Sequence, residues 1–309
     1  MNQKIYLPNN VSIMVNNLCN MTCSHCAGLA LYDFLGTFEW NQFAERYKKW
    51  SEILETDTLS LCGGEPYLHP DLENWFDSVR SLWPNTPIEI MTNGTRLSKR
   101  IELSRKFIQD GNSCIVVSCH DADTFDNIYN DIEEILQPWK EKITKTESTN
   151  AGINSWRGIS FFIEDKEVIK YQLVVDMVPP YHKKVENGTV YFEMGGDKEA
   201  SYQKCPWKDA ITFQHGILYK CPPVVNYGEA KTQVKYEEEA ALILEQYKGC
   251  DPFDSQENIE NFFNTLHQSI SVCELCAFDK QEDTLSFSRK VVLDPSMKKK
   301  FRQFKIQEI

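Results

Sequence analysis

Strands and helices alternate along the first 180 residues, and this alternation most limits what the chain can fold into. Apolar, β-branched runs predict strands at residues 11–19, 58–66, 87–95, 113–120, 158–165 and 171–179. Apolar residues at three-to-four-residue spacing predict helices after the first four strands, over about 38–54, 71–82, 98–110 and 123–142. Near-continuously apolar strands joined by helices are typical of a parallel sheet, and such sheets carry their sites at the carboxyl ends of the strands.

The number of strands and a later change of pattern divide the chain in two. Six strands are too few for a closed eight-stranded barrel, so we expect an α/β partial (β/α)6 barrel over residues 1–183. The polar stretch 145–158 stands where the fifth helix belongs and predicts a linker. Beyond residue 183, turn signals at 187–188 and 215–216 and helical patterns over 236–247 and 258–269 predict a small α+β domain over 184–309.

Composition excludes several functional classes. Lys and Arg number 33 against 45 Asp and Glu, a net charge of −12 that does not favour a general nucleic-acid binder. Neither a secretory h-region nor an apolar run of membrane-spanning length is evident, so we expect a cytoplasmic protein without a membrane partner. Eleven cysteines in a reducing compartment indicate metal or cluster ligation rather than disulfides.

The first cysteine group follows the first predicted strand. Cys19, Cys23 and Cys26 are spaced C-x₃-C-x₂-C, and three thiolates can hold a cubane cluster that keeps one iron without a protein ligand. Soft thiolates also bind zinc, but a structural zinc site needs a fourth ligand, for which the neighbour is His25. The spacing therefore favours an iron–sulfur cluster and leaves zinc as the alternative.

This cysteine group resembles the signature of the radical S-adenosylmethionine (radical SAM) superfamily, C-x₃-C-x-aromatic-C, with His25 in the aromatic position. Motifs typical of the superfamily follow at the ends of the next strands. Gly63-Gly64-Glu65-Pro66 resembles its GGE motif, Thr92-Asn93-Gly94 its TNG motif, and Ser118 the polar residue that meets the ribose or methionine part of SAM. The resemblance covers about residues 10–180.

The resemblance implies cofactors and a reaction. It implies a [4Fe–4S] cluster on Cys19, Cys23 and Cys26, a flavodoxin- or ferredoxin-type electron donor, and cleavage of SAM to a 5′-deoxyadenosyl radical that abstracts a substrate hydrogen. The residues that it assigns to SAM binding are His25, Gly63, Gly64, Glu65, Pro66, Asn93 and Ser118.

A second group of four cysteines lies in the C-terminal part of the chain. Cys205, Cys221, Cys273 and Cys276 resemble the ligands of a SPASM domain in its shortened, twitch-type form, which carries one auxiliary [4Fe–4S] cluster. The same spacing permits a Cys₄ zinc site. Cys250 is the substitute if one ligand is misassigned. We interpret Cys114 and Cys119 as packing residues, and Cys62 as a neighbour of the first cluster.

A SAM-binding cluster combined with an auxiliary cluster favours a net oxidation of a small molecule such as a sugar or aminocyclitol alcohol. In this reaction the auxiliary cluster accepts the electron of the substrate radical. The proton acceptor has three candidates at strand ends, His120, Asp165 and Asp176. Three alternatives stay open: a peptide or protein maturase of the RiPP type, a nucleotide or nucleic-acid modifying enzyme suggested by the basic tail at 297–306, and a zinc-stabilised binding module without enzyme activity.

Overall fold

The computed structural model describes residues 4–21, 23, 26, 28, 36–120, 122–150, 156–174, 183–186, 189–192, 194–226 and 235–276. Four features named above lie outside the described residues, namely His25, Asp176, the turn at 187–188 and the tail at 297–306.

The described strands form a nine-stranded sheet and a small three-stranded one. The large sheet has the order β11-β10-β1-β2-β3-β4-β7-β6-β5, and the small sheet has the order β12-β9-β8. The bounds are β1 (Ile5–Asn16), β2 (Leu54–Gly63), β3 (Ile88–Thr92), β4 (Ser113–Cys119), β5 (Ile143–Asn150), β6 (Trp156–Ile163), β7 (Lys166–Val174), β8 (Lys183–Glu186), β9 (Thr189–Phe192), β10 (Ile211–Gln214), β11 (Ile217–Tyr219) and β12 (Lys235–Tyr236).

The predicted helices are present, each shorter than its pattern, and the structure adds one that the sequence did not predict, α5 (Lys198–Lys204). Their bounds are α1 (Ala44–Ile53), α2 (Leu72–Leu82), α3 (Ile101–Gln109), α4 (Phe125–Leu136), α5 (Lys198–Lys204), α6 (Glu238–Gln246) and α7 (Gln256–Asn264). Short 3₁₀ turns extend several of them, for example Trp40–Gln42 before α1 and Leu97–Lys99 before α3. The helices between strands bury one apolar face against the sheet, as Trp75, Phe76 and Val79 of α2 show.

The first four units run as predicted, and the strands predicted at 158–165 and 171–179 are present, but the expected parallel direction is wrong for the first of these two. Strands β1, β2, β3, β4 and β7 run parallel to one another. The supposed linker contributes β5, and β6 pairs antiparallel with both β5 and β7. The physical reason is the two-residue turn Glu164-Asp165, both with positive φ (50° and 66°), since so short a connection can only join antiparallel strands.

The hairpin predicted around residues 215–216 is confirmed, and it belongs to the large sheet. Strand β10 pairs parallel with β1, and β11 returns antiparallel after a turn in which His215 and Gly216 both have positive φ. Trp50 of α1 is fully buried and donates its Nε1–H to the Gly216 carbonyl at 2.9 Å. This contact fixes the segment that carries Cys221 against the sheet.

Candidate functional site

A cavity of about 370 Å³ opens at the carboxyl ends of the parallel strands, where this architecture places its sites. It unites the first cysteine group and candidate residues from the ends of β2, β3 and β4 with several residues that the sequence did not single out. Its lining consists of Cys19, Met21, Cys23, Cys26, Gly28, Cys62, Gly63, Gly64, Met91, Thr92, Asn93, Ser118, His120, Gln172, Val174 and Trp207.

The three cysteines of the first group share this cavity. The backbone N–H of Met21 donates to Cys19 Sγ at 3.4 Å, an arrangement that stabilises negative charge on sulfur. Burial raises the pKa of the Cys19 thiol and raises that of Cys23 to about 12. Both sulfurs are therefore protonated at neutral pH unless a bound cation takes the place of the proton.

Two glycines allow the end of β2 to touch the segment that leads into the cysteine loop. A Cβ on Gly63 would lie 2.2 Å from the Asn16 carbonyl oxygen, and a Cβ on Gly64 would lie 2.3 Å from that of Leu18. Two backbone hydrogen bonds span the same gap, from Gly64 N to Asn16 O (3.0 Å) and from Glu65 N to Leu18 O (2.8 Å). Only glycine fits so close an approach, which places Cys19 beside β2.

Glu65 lies behind the cavity wall rather than in it. Its carboxylate is completely buried and accepts hydrogen bonds from Thr92 Oγ1 (2.6 Å), Asn93 N (2.6 Å) and Tyr67 N (3.0 Å). Burial raises its pKa, while these three donors oppose that rise. The structure thus gives Glu65 the task of shaping the turn after β3, and the buried Pro66 likewise does not line the cavity.

Asn93 connects that turn to the cysteine loop. Its Nδ2 donates to Asn20 Oδ1 at 3.0 Å and lies 4.0 Å from Cys19 Sγ. Its Oδ1 accepts from Thr95 N (3.0 Å) and Thr95 Oγ1 (2.6 Å). The amide is thereby held in one orientation at the cavity.

Two of the three candidate proton acceptors, His120 and Asp165, lie among the described residues, and their positions differ. His120 follows β4 and lines the cavity, and no described group forms a hydrogen bond with its buried Nδ1. Burial lowers the pKa of His120 to about 4. Asp165 lies in the turn before β7, at the amino-terminal end of the sheet, where Glu164 and Lys166 line another cleft with Ile88 and Ser113. The structure therefore does not bring Asp165 to the site.

Sequence reasoning missed several lining residues. Gln172 and Val174 come from β7, and the register pairs Gln172 with Ser118 of β4, so both side chains point to the same face. Strand alternation from Ser118 could have identified them. Trp207 comes from the C-terminal part, and its distance in sequence gives no signal.

The second cysteine group also assembles in space. Burial raises the pKa of Cys205 to about 11, and it raises the pKa of Cys221, to which the nearby charges of Cys205 and Cys273 add. Cys276 packs against Cys205 and Trp207. Cys250 instead bridges Leu218 through two backbone hydrogen bonds (2.9 and 2.8 Å) and packs in the main core.

Helix α5, whose C-cap is Cys205, packs against the 3₁₀ turn Ser271–Leu275, which contains Cys273 and whose C-cap is Cys276. Ser201 Oγ donates to the Cys276 carbonyl at 3.1 Å, and Gly196 N donates to the Glu274 carbonyl at 3.0 Å.

No disulfide joins any of the eleven cysteines, all of which are described. Within the described ranges, no three His, Cys, Asp or Glu side chains group tightly enough around a single metal ion.

Comparison with protein families finds one match in the N-terminal part of the chain. Residues 13–148 match the model described as the radical SAM superfamily, whose signature the cysteine spacing resembles. This superfamily consists of enzymes that use SAM and a [4Fe–4S] cluster. A comparison with curated proteins finds no match. None of the described helices has the length and hydropathy that crossing a membrane requires.

Three solved structures have limited similarity to the chain. Tagged anSMEcpe with bound AdoMet is 18% identical over 43% of this chain and 41% of its own, with a TM-score of 0.34. Streptococcus suis SuiB bound to S-adenosylmethionine is 15% identical over 42% and 39%, with a TM-score of 0.29. BtrN in an open conformation is 22% identical over 40% and 55%, with a TM-score of 0.30. The chain thus matches less than two thirds of each.

Proposed function

We propose that the chain is a radical SAM oxidoreductase that removes two electrons from a small molecule such as a sugar or aminocyclitol alcohol. In this proposal Cys19, Cys23 and Cys26 hold the SAM-binding [4Fe–4S] cluster. Residues 184–309 form the region of an auxiliary [4Fe–4S] cluster, whose ligands are Cys205, Cys221, Cys273 and Cys276.

The position of Trp207 is the observation that carries the proposal. Trp207 lines the cavity that also contains the first cysteine group. Its backbone N–H donates to Cys205 Sγ at 3.4 Å, and it packs against Cys276. A single residue therefore separates the substrate cavity from the second cysteine group, a short path for an electron.

The chemistry of the side chains suits an iron–sulfur cluster at both sites, because each thiolate of such a cluster binds its own iron and the sulfurs need not surround a single ion. The cysteines of both sites are buried or half-buried, and an amide N–H donates to one sulfur in each, from Met21 to Cys19 and from Trp207 to Cys205. When bound, SAM with its cluster supplies a 5′-deoxyadenosyl radical that abstracts a hydrogen atom, and the auxiliary cluster supplies a one-electron acceptor. A flavodoxin- or ferredoxin-type protein completes the set as the external reductant.

His120 is the proposed acceptor of the substrate proton. Because burial lowers the pKa of its imidazole, the ring is neutral at pH 7 and keeps one nitrogen able to accept a proton. Its buried Nδ1 has no hydrogen-bond partner among the described residues, and a substrate hydroxyl in the cavity would supply one. Ser118 and Gln172, on neighbouring strands at the same wall, provide further polar groups that can orient such a substrate.

Product analysis after anaerobic reconstitution tests this function. Incubation with SAM and a reductant should release 5′-deoxyadenosine, and Cys19→Ala should abolish that release. With a panel of sugar and aminocyclitol alcohols, we expect one product lighter than its substrate by two hydrogens. Cys273→Ala with Cys276→Ala should still cleave SAM but fail to complete the oxidation. A colourless protein with stoichiometric zinc, or no SAM cleavage, would contradict the proposal.

A further inference from the structure

A lysine is buried next to the second cysteine group. Lys220 lies between β11 and Cys221 and is only 6% exposed. Its Nζ donates to the carbonyl of Thr265, the residue that ends α7, at 2.9 Å. The same Nζ lies 5.3 Å from the centre of the Tyr202 ring. These contacts hold the ammonium in one place and leave it little access to water.

The described surroundings of Lys220 contain no conventional counter-ion. Among the described residues, no carboxylate pairs with its Nζ; the helix-end carbonyl and the ring supply only partial negative charge. A buried ammonium without an anion is costly, so a negatively charged group beside Lys220 would stabilise its charge.

Lys220 lies beside two of the proposed ligands. It directly precedes Cys221 in sequence, and its Nζ faces the ring of Tyr202, whose carbonyl accepts the N–H of Cys205 at 3.2 Å. A cubane with four thiolate ligands carries net negative charge, and that charge increases when the cluster accepts an electron. A fixed positive charge beside it stabilises the reduced state more than the oxidised state.

We propose that Lys220 is a positioning residue of the auxiliary cluster, whose charge raises the cluster's reduction potential so that it accepts the electron of the substrate radical. This inference rests on the proposed function, because it requires the second cysteine group to hold a cluster. The electron leaves the substrate radical, the auxiliary cluster is reduced by one electron, and the proton goes to His120. The ammonium of Lys220 does not change its covalent state.

The test uses the full chain with Cys19, Cys23 and Cys26 replaced by alanine, so that only the auxiliary cluster remains. In this background Lys220→Met removes the charge, and Lys220→Arg keeps it. Lys248→Met is the matched control, since Lys248 lines the same surface cleft as Lys220 but is exposed. The measurement is a redox titration of the reconstituted cluster, followed by EPR of its reduced state.

We expect Lys220→Met to change the ratio of reduced to oxidised cluster at a fixed potential at least tenfold, a decrease in midpoint potential of about 59 mV or more for one electron. Lys220→Arg and Lys248→Met should keep the parent potential to within about a twofold change in that ratio, about 18 mV. An unchanged potential in iron-loaded Lys220→Met would overturn the inference.

Loss of cluster in a variant is also informative. If Lys220→Met and Lys220→Gln bind no iron while Lys220→Arg binds it normally, the positive charge is required to hold the cluster, which supports the assignment. If Lys220→Arg also loses the iron, the role of Lys220 is one of packing and the inference fails. If the parent without Cys19, Cys23 and Cys26 forms no iron–sulfur cluster, it is the proposed function that fails instead.

Discussion

Replacing Gly64 by alanine should force apart the end of β2 and the start of the cysteine loop. The new Cβ would lie 2.3 Å from the Leu18 carbonyl oxygen and 2.5 Å from its carbonyl carbon, whereas ordinary contact begins at 3.4 Å. Relief requires a backbone movement of about 1 Å, which breaks the hydrogen bonds Gly64 N to Asn16 O and Glu65 N to Leu18 O. Overpacking and the two lost bonds together lower the free energy of unfolding by about 3–5 kcal/mol.

Urea denaturation of the protein before reconstitution measures this loss, and iron content after reconstitution measures its effect on the site. Gly28→Ala is the matched control, because its Cβ meets Asn226 and Cys26 at an ordinary 3.7 Å in the same cavity. The control should change the free energy of unfolding by less than about 1 kcal/mol. A Gly64→Ala protein as stable as this control, with full iron content, would refute the close-approach argument.

Three further changes probe other parts of the structure. Because burial lowers the pKa of His120 to about 4 from 6.5, the unfolded chain binds the proton first as pH falls, so urea denaturation should show about 2–3 kcal/mol of stability lost between pH 6.5 and 4. His120→Gln should lack this loss relative to wild type. Arg80→Lys cannot keep both contacts of Arg80 to Asp110 (3.0 and 2.7 Å), so calorimetry should show about 1–2 kcal/mol of lost stability. Trp50→Phe loses the 2.9 Å bond to the Gly216 carbonyl, and urea denaturation should show about 1–3 kcal/mol lost.

The part of the site that could be predicted follows from the geometry of parallel strands. Their carboxyl ends meet at one edge, so motifs that end separate strands must share a site. The structure places Gly63, Asn93, Ser118 and His120 around the cavity with the cysteines, as expected from this rule. Periodicity likewise predicted the helices, because each buries one apolar face on the sheet.

The features of the fold and the site that were not predicted depend on contacts between separate segments of the chain, which no local sequence pattern encodes. Glu164 and Asp165 are not the usual residues of a tight hairpin turn, so nothing marked β6 as antiparallel. Glu65 was assigned to SAM binding from its motif, but its burial against Thr92 and Asn93 emerges only when β2 and β3 are paired. Trp207 reaches the cavity because β10 joins β1 across about 200 residues of sequence.

The central claim is that the chain holds two separate iron–sulfur clusters, and metal content per chain tests it most directly. After anaerobic reconstitution, wild-type protein should contain about eight iron atoms and no stoichiometric zinc. Removing Cys19, Cys23 and Cys26 should leave about four iron atoms, and so should removing Cys273 and Cys276. Wild-type protein with about four iron atoms, unchanged when Cys273 and Cys276 are replaced, would contradict the account.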